Sequence, residues 1–321
     1  MYRAFYNLRD YPFNINPDPR FLHFTRGAYD ALACLFYSLS RRRGLVLMTG
    51  EVGTGKTTLL NYLLQELCKR RIPRALLVNP RLTPTEFLEL VLSEFEIHCP
   101  SQRKGQMLRE LHRWLRERQG AGQMAVLIVD EAHTLSFEML EEIRLLTNFE
   151  TSTQKFLQIV LSGQPELERK LNLPQMRQVK QRIALHVRLT PLSLKETEGY
   201  IRTRLQRAGT DGKTLFLPEA VSAIHAYSAG IPRLINLICE NALISGYAAQ
   251  VRPVTVELVD EAAKGLQLEA TAPSPGIPPE PFAELPPSLE EMLSDPQMSV
   301  TFREFLQLMQ HLRKAGLLSD R

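Results

Sequence analysis

Apolar residues recur at two different periods along this chain, and the alternation between them dictates an architecture. Short, mainly apolar runs at 44–49, 75–78, 125–129, 156–161 and 184–189 have the length of strands. Between them the spacing becomes helical. Ala31, Leu32, Leu35, Phe36 and Leu39 repeat within 28–40, Leu59, Leu60, Leu63, Leu64 and Leu67 follow, and 83–95, 107–117 and 138–149 continue the period. Thr83 before Pro84 predicts an N-cap and a first-turn proline. Strands that alternate with helices pair in parallel through right-handed crossovers. The expected fold is therefore an open α/β sheet covered by helices on both faces, with its ligand site at the carboxyl ends of the strands.

After Pro191 the strand period vanishes. Segments 196–208, 218–227, 232–249 and 256–268 all carry helical spacing, which predicts a smaller all-α domain. Residues 1–25, rich in proline, asparagine and aromatics, are expected as an extended arm lying along the core and pinned by its rings. From Thr271 to Pro296 prolines crowd the chain, as in a linker. Phe302, Phe305, Leu306, Met309 and Leu312 then mark a short amphipathic helix that docks on the chain's own core or on a partner. The expected boundaries are an arm at 1–27, an α/β nucleotide-binding domain at 28–190, a helical lid domain at 191–268, a Pro-rich linker at 269–298 and a last helix at 299–321.

Composition changes this picture little. The 321 residues are 44% hydrophobic and 23% charged, ordinary for a globular protein and unlike disordered or fibrous chains. A formal charge of +4 is too small to imply an anionic partner. The run Arg41-Arg42-Arg43 reads as a solvated helix end, with a phosphate or lipid contact as the sharper alternative. Cys34, Cys68, Cys99 and Cys239 are widely spaced with no CxxC pair, so neither a zinc site nor a redox motif is indicated and a reducing cytoplasm fits. The first residues lack a secretory pattern, and no apolar run approaches the eighteen or so residues of a spanning helix, so no transmembrane segment is expected.

The chemistry is carried by Gly50-Glu51-Val52-Gly53-Thr54-Gly55-Lys56-Thr57, which has every fixed position of a phosphate-cradling loop between a strand and a helix. Its glycines allow the turns and the close backbone approach by which amide groups converge on phosphates. Lys56 is assigned to the β and γ phosphates of ATP, Thr57 to Mg2+ and Thr58 to the α phosphate. The strand 125–129 ends in Asp130-Glu131, where Asp130 would hold Mg2+ through water and Glu131 would polarise the attacking water; a pair of helix caps is the alternative. Asp130-Glu131-Ala132-His133 also spells a helicase box, but the chain is too short for two helicase cores.

Phosphoryl transfer needs cations against the charge that builds on the γ phosphate. Arg182, just before the fifth strand, is the first choice for a finger inserted into a neighbouring subunit, with Arg177 second and a plain surface role open for either. Arg233, at a helix start in the all-α region, is placed to reach phosphates in its own chain or else to cap or pair. Gln164, after the strand ending Leu161-Ser162-Gly163, is placed to sense the γ phosphate, with Ser162 as fallback.

Together these residues resemble the AAA+ ATPases, and closely the ExeA family, the general secretion pathway protein A ATPases. The likeness spans about residues 1–266 and includes Phe5-Tyr6-Asn7-Leu8, Pro17-Asp18-Pro19-Arg20-Phe21-Leu22, the phosphate loop, Asp130-Glu131-Ala132-His133, Gly163-Gln164-Pro165-Glu166-Leu167, Gln181-Arg182-Ile183 and Gly230-Ile231-Pro232-Arg233-Leu234-Ile235-Asn236. The resemblance implies a P-loop AAA+ parallel sheet sandwiched by helices, then a smaller all-α lid and a Pro-rich tail. It also implies a homo-oligomeric bacterial ATPase coupled to type II secretion, pilus biogenesis or exopolysaccharide export, its partner reached through the lid or the tail. Similar cores serve as ATP-dependent DNA-binding helpers of transposition, so a DNA-binding regulator is the alternative. Many members continue into a membrane span and a peptidoglycan-binding domain; here a proline-rich tail follows instead, and a cytoplasmic adaptor, or one peripheral at the inner membrane, is expected.

Overall fold

A computed structural model describes residues 2–270 apart from 17, 79–81, 153 and 211–214, together with 307. The expected linker beyond 270 and the last amphipathic helix lie outside the described residues. Five strands, β1 (Leu45–Gly50), β2 (Arg74–Val78), β3 (Ala125–Asp130), β4 (Leu157–Gly163) and β5 (Ile183–Leu189), form one parallel sheet in the order β2-β3-β4-β1-β5. Every residue of β1, β3 and β4 is buried. Two-sided burial of this kind requires helices on both faces.

In chain order the helices of the first part are α1 (Tyr2–Phe5), α2 (Arg26–Ser40), α3 (Lys56–Lys69), α4 (Pro84–Glu94), α5 (Lys104–Gly120), α6 (Phe137–Leu146), α7 (Pro165–Leu171) and α8 (Arg177–Lys180). α2 and α3 pack Leu32, Phe36, Leu60 and Leu63 on one face of the sheet, against Val46, Met48 and Val126. The other face receives α4 to α8 through Phe87, Leu111, Ile143, Leu167 and Val179. Thr83 caps α4 as its sequence predicts: its hydroxyl accepts from the Glu86 amide, and the Glu86 carboxylate accepts from the Thr83 amide. Helices α1, α7 and α8 escape a periodicity reading because four to seven residues are too few to display a stripe.

After β5 come α9 (Leu194–Arg207), α10 (Pro218–Ser228), α11 (Pro232–Ala248) and α12 (Val256–Gly265), with no further strand among the described residues. The N-terminal arm is held by its rings on the core of this helical group, burying Tyr2, Tyr6, Phe13 and Phe21 with Ile201, Leu205, Ile235 and Leu243, though its first residues form α1 where extended chain was expected. Four short helices leave apolar surface that they cannot bury among themselves, and the rings fill it. Arg204, itself only 6% exposed, fastens the arm by donating to the Pro12 carbonyl at 2.7 Å and lying over the rings of Phe21 and Tyr200. Nor is the basic run at the end of α2 simply solvated. Arg42 donates to the Gly122 carbonyl at 2.6 Å and to Gln154 at 2.8 Å, and Arg43 lies over Tyr37.

Candidate functional site

Parallel pairing brings the carboxyl ends of β1, β3 and β4 side by side, at Gly50, Asp130 and Gly163. Between Gly50 and α3 the chain turns twice through the left-handed region, at Gly53 (φ 82°) and Gly55 (φ 98°), where side chains are disfavoured. A Cβ at Gly50 would stand 2.8 Å from the Leu189 carbonyl oxygen, and one at Gly53 would stand 2.7 Å from Cβ of Arg233. Gly55 forms the N-cap of α3, so the turn ends on the positive pole of a fourteen-residue helix. Glu51 and Val52 project outward, Val52 being 49% exposed, and contribute through their backbone.

Lys56 is buried at 5% exposure, and its ammonium donates to the Gly50 carbonyl at 2.7 Å and the Glu51 carbonyl at 2.9 Å. Burial draws its pKa below the usual lysine value, against the pull of Glu131, Asp130 and Glu51. The Thr57 hydroxyl, one residue on, donates to Asp130 Oδ2 at 2.9 Å. Asp130 also accepts at Oδ1 from the Ser162 hydroxyl at 2.8 Å and the Glu131 amide at 2.9 Å. Ser162 therefore spends its hydroxyl orienting Asp130.

Glu131 sits in the left-handed region (φ 54°, ψ 34°), which turns its side chain out of the strand direction into the short helical turn Ala132–Thr134. Its Oε2 lies 3.2 Å from His133 Nδ1. Gln164, the N-cap residue of α7, brings Nε2 to 3.2 Å from His133 Nε2. Gln164 thus meets His133, the last residue of the second motif. The side-chain bridge through His133 was hidden in sequence, where His133 counted only as the last letter of a motif. A second cluster escaped sequence reading altogether. Thr49 donates to Glu168, which also takes Arg188 Nη2 at 2.5 Å and has His186 Nε2 at 3.2 Å. Burial pushes the Glu168 carboxyl up, and hydrogen bonds from His186, Arg188 and Thr49 outweigh it, bringing it to about 2.

The arginines divide by location. Arg233 begins α11 beside the loop: its amide donates to the Gly53 carbonyl at 3.2 Å and its side chain is exposed. Arg182 and Arg177 are elsewhere. Arg182 precedes Ile183, which pairs with Leu45 at the start of β1, so it stands at the opposite end of the sheet from the loop, donating to Asn148 at 3.3 Å. Arg177 is exposed near that end, at the start of α8.

Beside the loop lies an open cleft walled by Thr54, Gly55 and Thr58 of the loop and α3, Leu22 of the arm, Pro191 after β5 and Pro232 of α11. The donor set fits an Mg-nucleotide. A buried ammonium satisfied only by loop carbonyls, amides gathered at a helix N-terminus, and a hydroxyl touching a carboxylate are the groups that phosphates and a hard, oxygen-seeking cation take.

The 2-3-4-1-5 strand order, the glycine turn into α3 and the acidic end of β3 define a P-loop NTPase fold of the AAA type. In agreement, the AAA domain family matches residues 39–171, and the general secretion pathway protein A of Aeromonas hydrophila is 44% identical over 249 residues, 77% of this chain. Over that shared length the chain is similar to the ExeA proteins and carries an AAA-type P-loop domain. It spans 45% of the length of that Aeromonas relative. Among solved structures, Cdc6p from Pyrobaculum aerophilum superposes with a TM-score of 0.60 at 15% identity, covering 90% of this chain and 85% of that one. Drosophila ORC bound to DNA gives a TM-score of 0.56 at 21% identity over 73% of this chain and 59% of that one. Likenesses at this identity speak to the fold alone. No described helix is long and apolar enough to cross a membrane.

Proposed function

We propose that this chain binds Mg-ATP in the loop Gly50–Thr58 and hydrolyses it, and that turnover drives or gates the assembly of a bacterial envelope secretion or export system. One observation supports the chemical part: the start of α3, with Lys56 turned onto the loop carbonyls, meets the acidic end of β3 where the Thr57 hydroxyl donates to Asp130, next to Glu131. Lys56 exchanges its loop carbonyls for the β and γ phosphates, and Thr58 meets the α phosphate. Thr57 and Asp130 hold Mg2+, which when bound neutralises phosphate charge. Glu131 accepts the proton of the attacking water, Gln164 contacts the γ phosphate, and Arg233 closes over the phosphates from the lid. The similarity to a general secretion pathway protein supports the cellular role, at the cytoplasmic face where ATP is supplied.

Subunits associate head to tail, so that Arg182, with Arg177 behind it, completes a neighbour's site. Charge supports this orientation. The segments leading into the five strands (41–43, 69–74, 116–118, 150–155 and 177–182) hold thirteen Lys and Arg against two Glu. Those leaving β1, β3, β4 and β5 (50–57, 130–133, 164–168 and 189–196) hold six carboxylates against two Lys. A basic end and an acidic end on one molecule are complementary between copies.

Purified protein is expected to release phosphate from ATP only with Mg2+. Lys56→Ala should abolish nucleotide binding, whereas Glu131→Gln should keep binding and lose turnover by at least about a hundredfold. Phosphate release by Glu131→Gln at the wild-type rate would leave a nucleotide-gated scaffold as the function. Complementation of a secretion-defective strain by wild type but not by Glu131→Gln tests the cellular part.

A further inference from the structure

The His133 side chain lies against both Glu131 and Gln164. Its two ring nitrogens face different partners at the same distance, Nδ1 toward Glu131 Oε2 at 3.2 Å and Nε2 toward Gln164 Nε2 at 3.2 Å. The two links are not equivalent. The Gln164 contact has hydrogen-bond geometry, but Nδ1 and Oε2 are misaligned, so both are buried polar atoms without a hydrogen-bond partner among the described residues. Buried polar atoms are nearly always paired, and an unpaired couple within reach of each other marks a contact poised to close.

The surroundings restrict what can move. Lys170 of α7 donates to the carbonyls of His133 at 2.8 Å and Leu135 at 2.6 Å, and the Thr134 hydroxyl donates to the Glu131 carbonyl at 2.8 Å. A Cβ at Gly163 would stand 3.1 Å from the His133 amide nitrogen, so the turn is packed against the end of β4. The backbone of 131–135 is therefore pinned on two sides, and the freedom left is rotation of the Glu131, His133 and Gln164 side chains. One neutral arrangement satisfies all three: the Gln164 amide N–H donates to Nε2, and Nδ1–H donates to the Glu131 carboxylate. A γ phosphate that recruits the Gln164 amide takes away the donor at Nε2, and the imidazole is then free to turn and change its hold on Glu131.

We infer that His133 is a positioning residue that links Gln164 to Glu131, aiming the carboxylate that activates water according to whether Gln164 is engaged. This rests on the ATPase reading above. The role is distinct from the magnesium-side contacts, since Asp130 is held by Thr57, Ser162 and the Glu131 amide, none of which involves His133.

The test compares the full chain with His133→Ala, His133→Asn, Gln164→Ala and the Ala/Ala double variant, measuring steady-state turnover and binding of a non-hydrolysable Mg-ATP analogue. His133→Ala should lower kcat about tenfold or more while KM and analogue affinity stay within about twofold. His133→Asn, whose amide can reach the place of Nδ1, should recover a large part of kcat. Gln164→Ala should cost much less in the His133→Ala background than alone, because the link it acts through is already cut. The inference is overturned if His133→Ala keeps wild-type kcat, if Asn and Ala lose activity equally, or if the two single losses simply multiply. If His133→Ala fails to fold, His133→Asn should outperform His133→Gln, which reaches Nε2 instead, and the reverse order overturns it. Absence of Mg-dependent turnover in the wild type would instead remove the ATPase reading.

Discussion

Gly53 does two jobs that no other residue type combines. Its φ of 82° makes the turn over which phosphates are held, and its bare Cα admits the first turn of α11, where Arg233 Cβ would meet an added methyl at 2.7 Å and Ile231 Cγ2 at 3.1 Å. The Arg233 amide meanwhile donates to the Gly53 carbonyl. Loop shape and lid position are thus set at one atom. Gly53→Ala should fold, since the clash lies at a surface seam rather than in the core, but it pushes the lid away from the loop while straining the turn. Analogue titration is expected to show at least about tenfold weaker Mg-ATP binding. Turnover at saturating nucleotide should fall as well, because Arg233 is carried off with the lid. Wild-type affinity in this variant would mean that the lid does not close on Gly53.

Among elements, β1, β5 and α7 are joined by a single carboxylate. Glu168 of α7 accepts from Thr49, the residue before the loop, and from Arg188 of β5, whose strand leads into the lid, with His186 of the same strand 3.2 Å away. Because its folded pKa is depressed to about 2 from an ordinary 4.5, the carboxylate adds stability that is fully present above the ordinary value and disappears as pH falls through the folded one. Glu168→Gln should therefore melt below wild type near neutral pH, and the gap should narrow steadily between about pH 5 and 2. A gap that does not change with pH would show that the carboxylate's charge is not what binds the three elements. This cluster also marks the limit of what the sequence discloses. The strands, the long helices, the Thr83 cap and the phosphate loop were legible, because periodicity, capping and glycine spacing are local. Glu168, His186 and Arg188 were not, since nothing in a helix and an edge strand twenty residues apart announces that they meet. The arm's partner surface is hidden for the same reason: the rings of Tyr6 and Phe13 signal burial but not which surface will bury them. His133 stood in plain view beside Glu131, and its link to Gln164 depends on how two strand ends are juxtaposed.

For the whole molecule the decisive length is that of a strand. β5 runs seven residues from Ile183, level with Leu45, to Leu189, level with Gly50, so at about 3.3 Å per residue Arg182 is roughly 20 Å from the loop of its own chain. No arginine side chain crosses that distance, and any action of Arg182 on phosphates must be on those of another copy. Complementary charge at the two ends of the sheet gives that copy its direction. A mixing experiment separates this from a structural role. Arg182→Ala and Glu131→Gln should each be nearly inactive alone while binding nucleotide normally. In mixed assemblies an Arg182→Ala subunit retains Glu131 and receives Arg182 from a Glu131→Gln neighbour, so one complete site is rebuilt at every such junction. Phosphate release should rise well above the sum of the two separate samples, peak near equal proportions, and weaken with added salt as the charged ends are screened. If Arg182 serves only its own chain through Asn148, mixing can do no more than average two inactive proteins, and the absence of any gain at subunit concentrations that support wild-type turnover would dismiss the trans arginine.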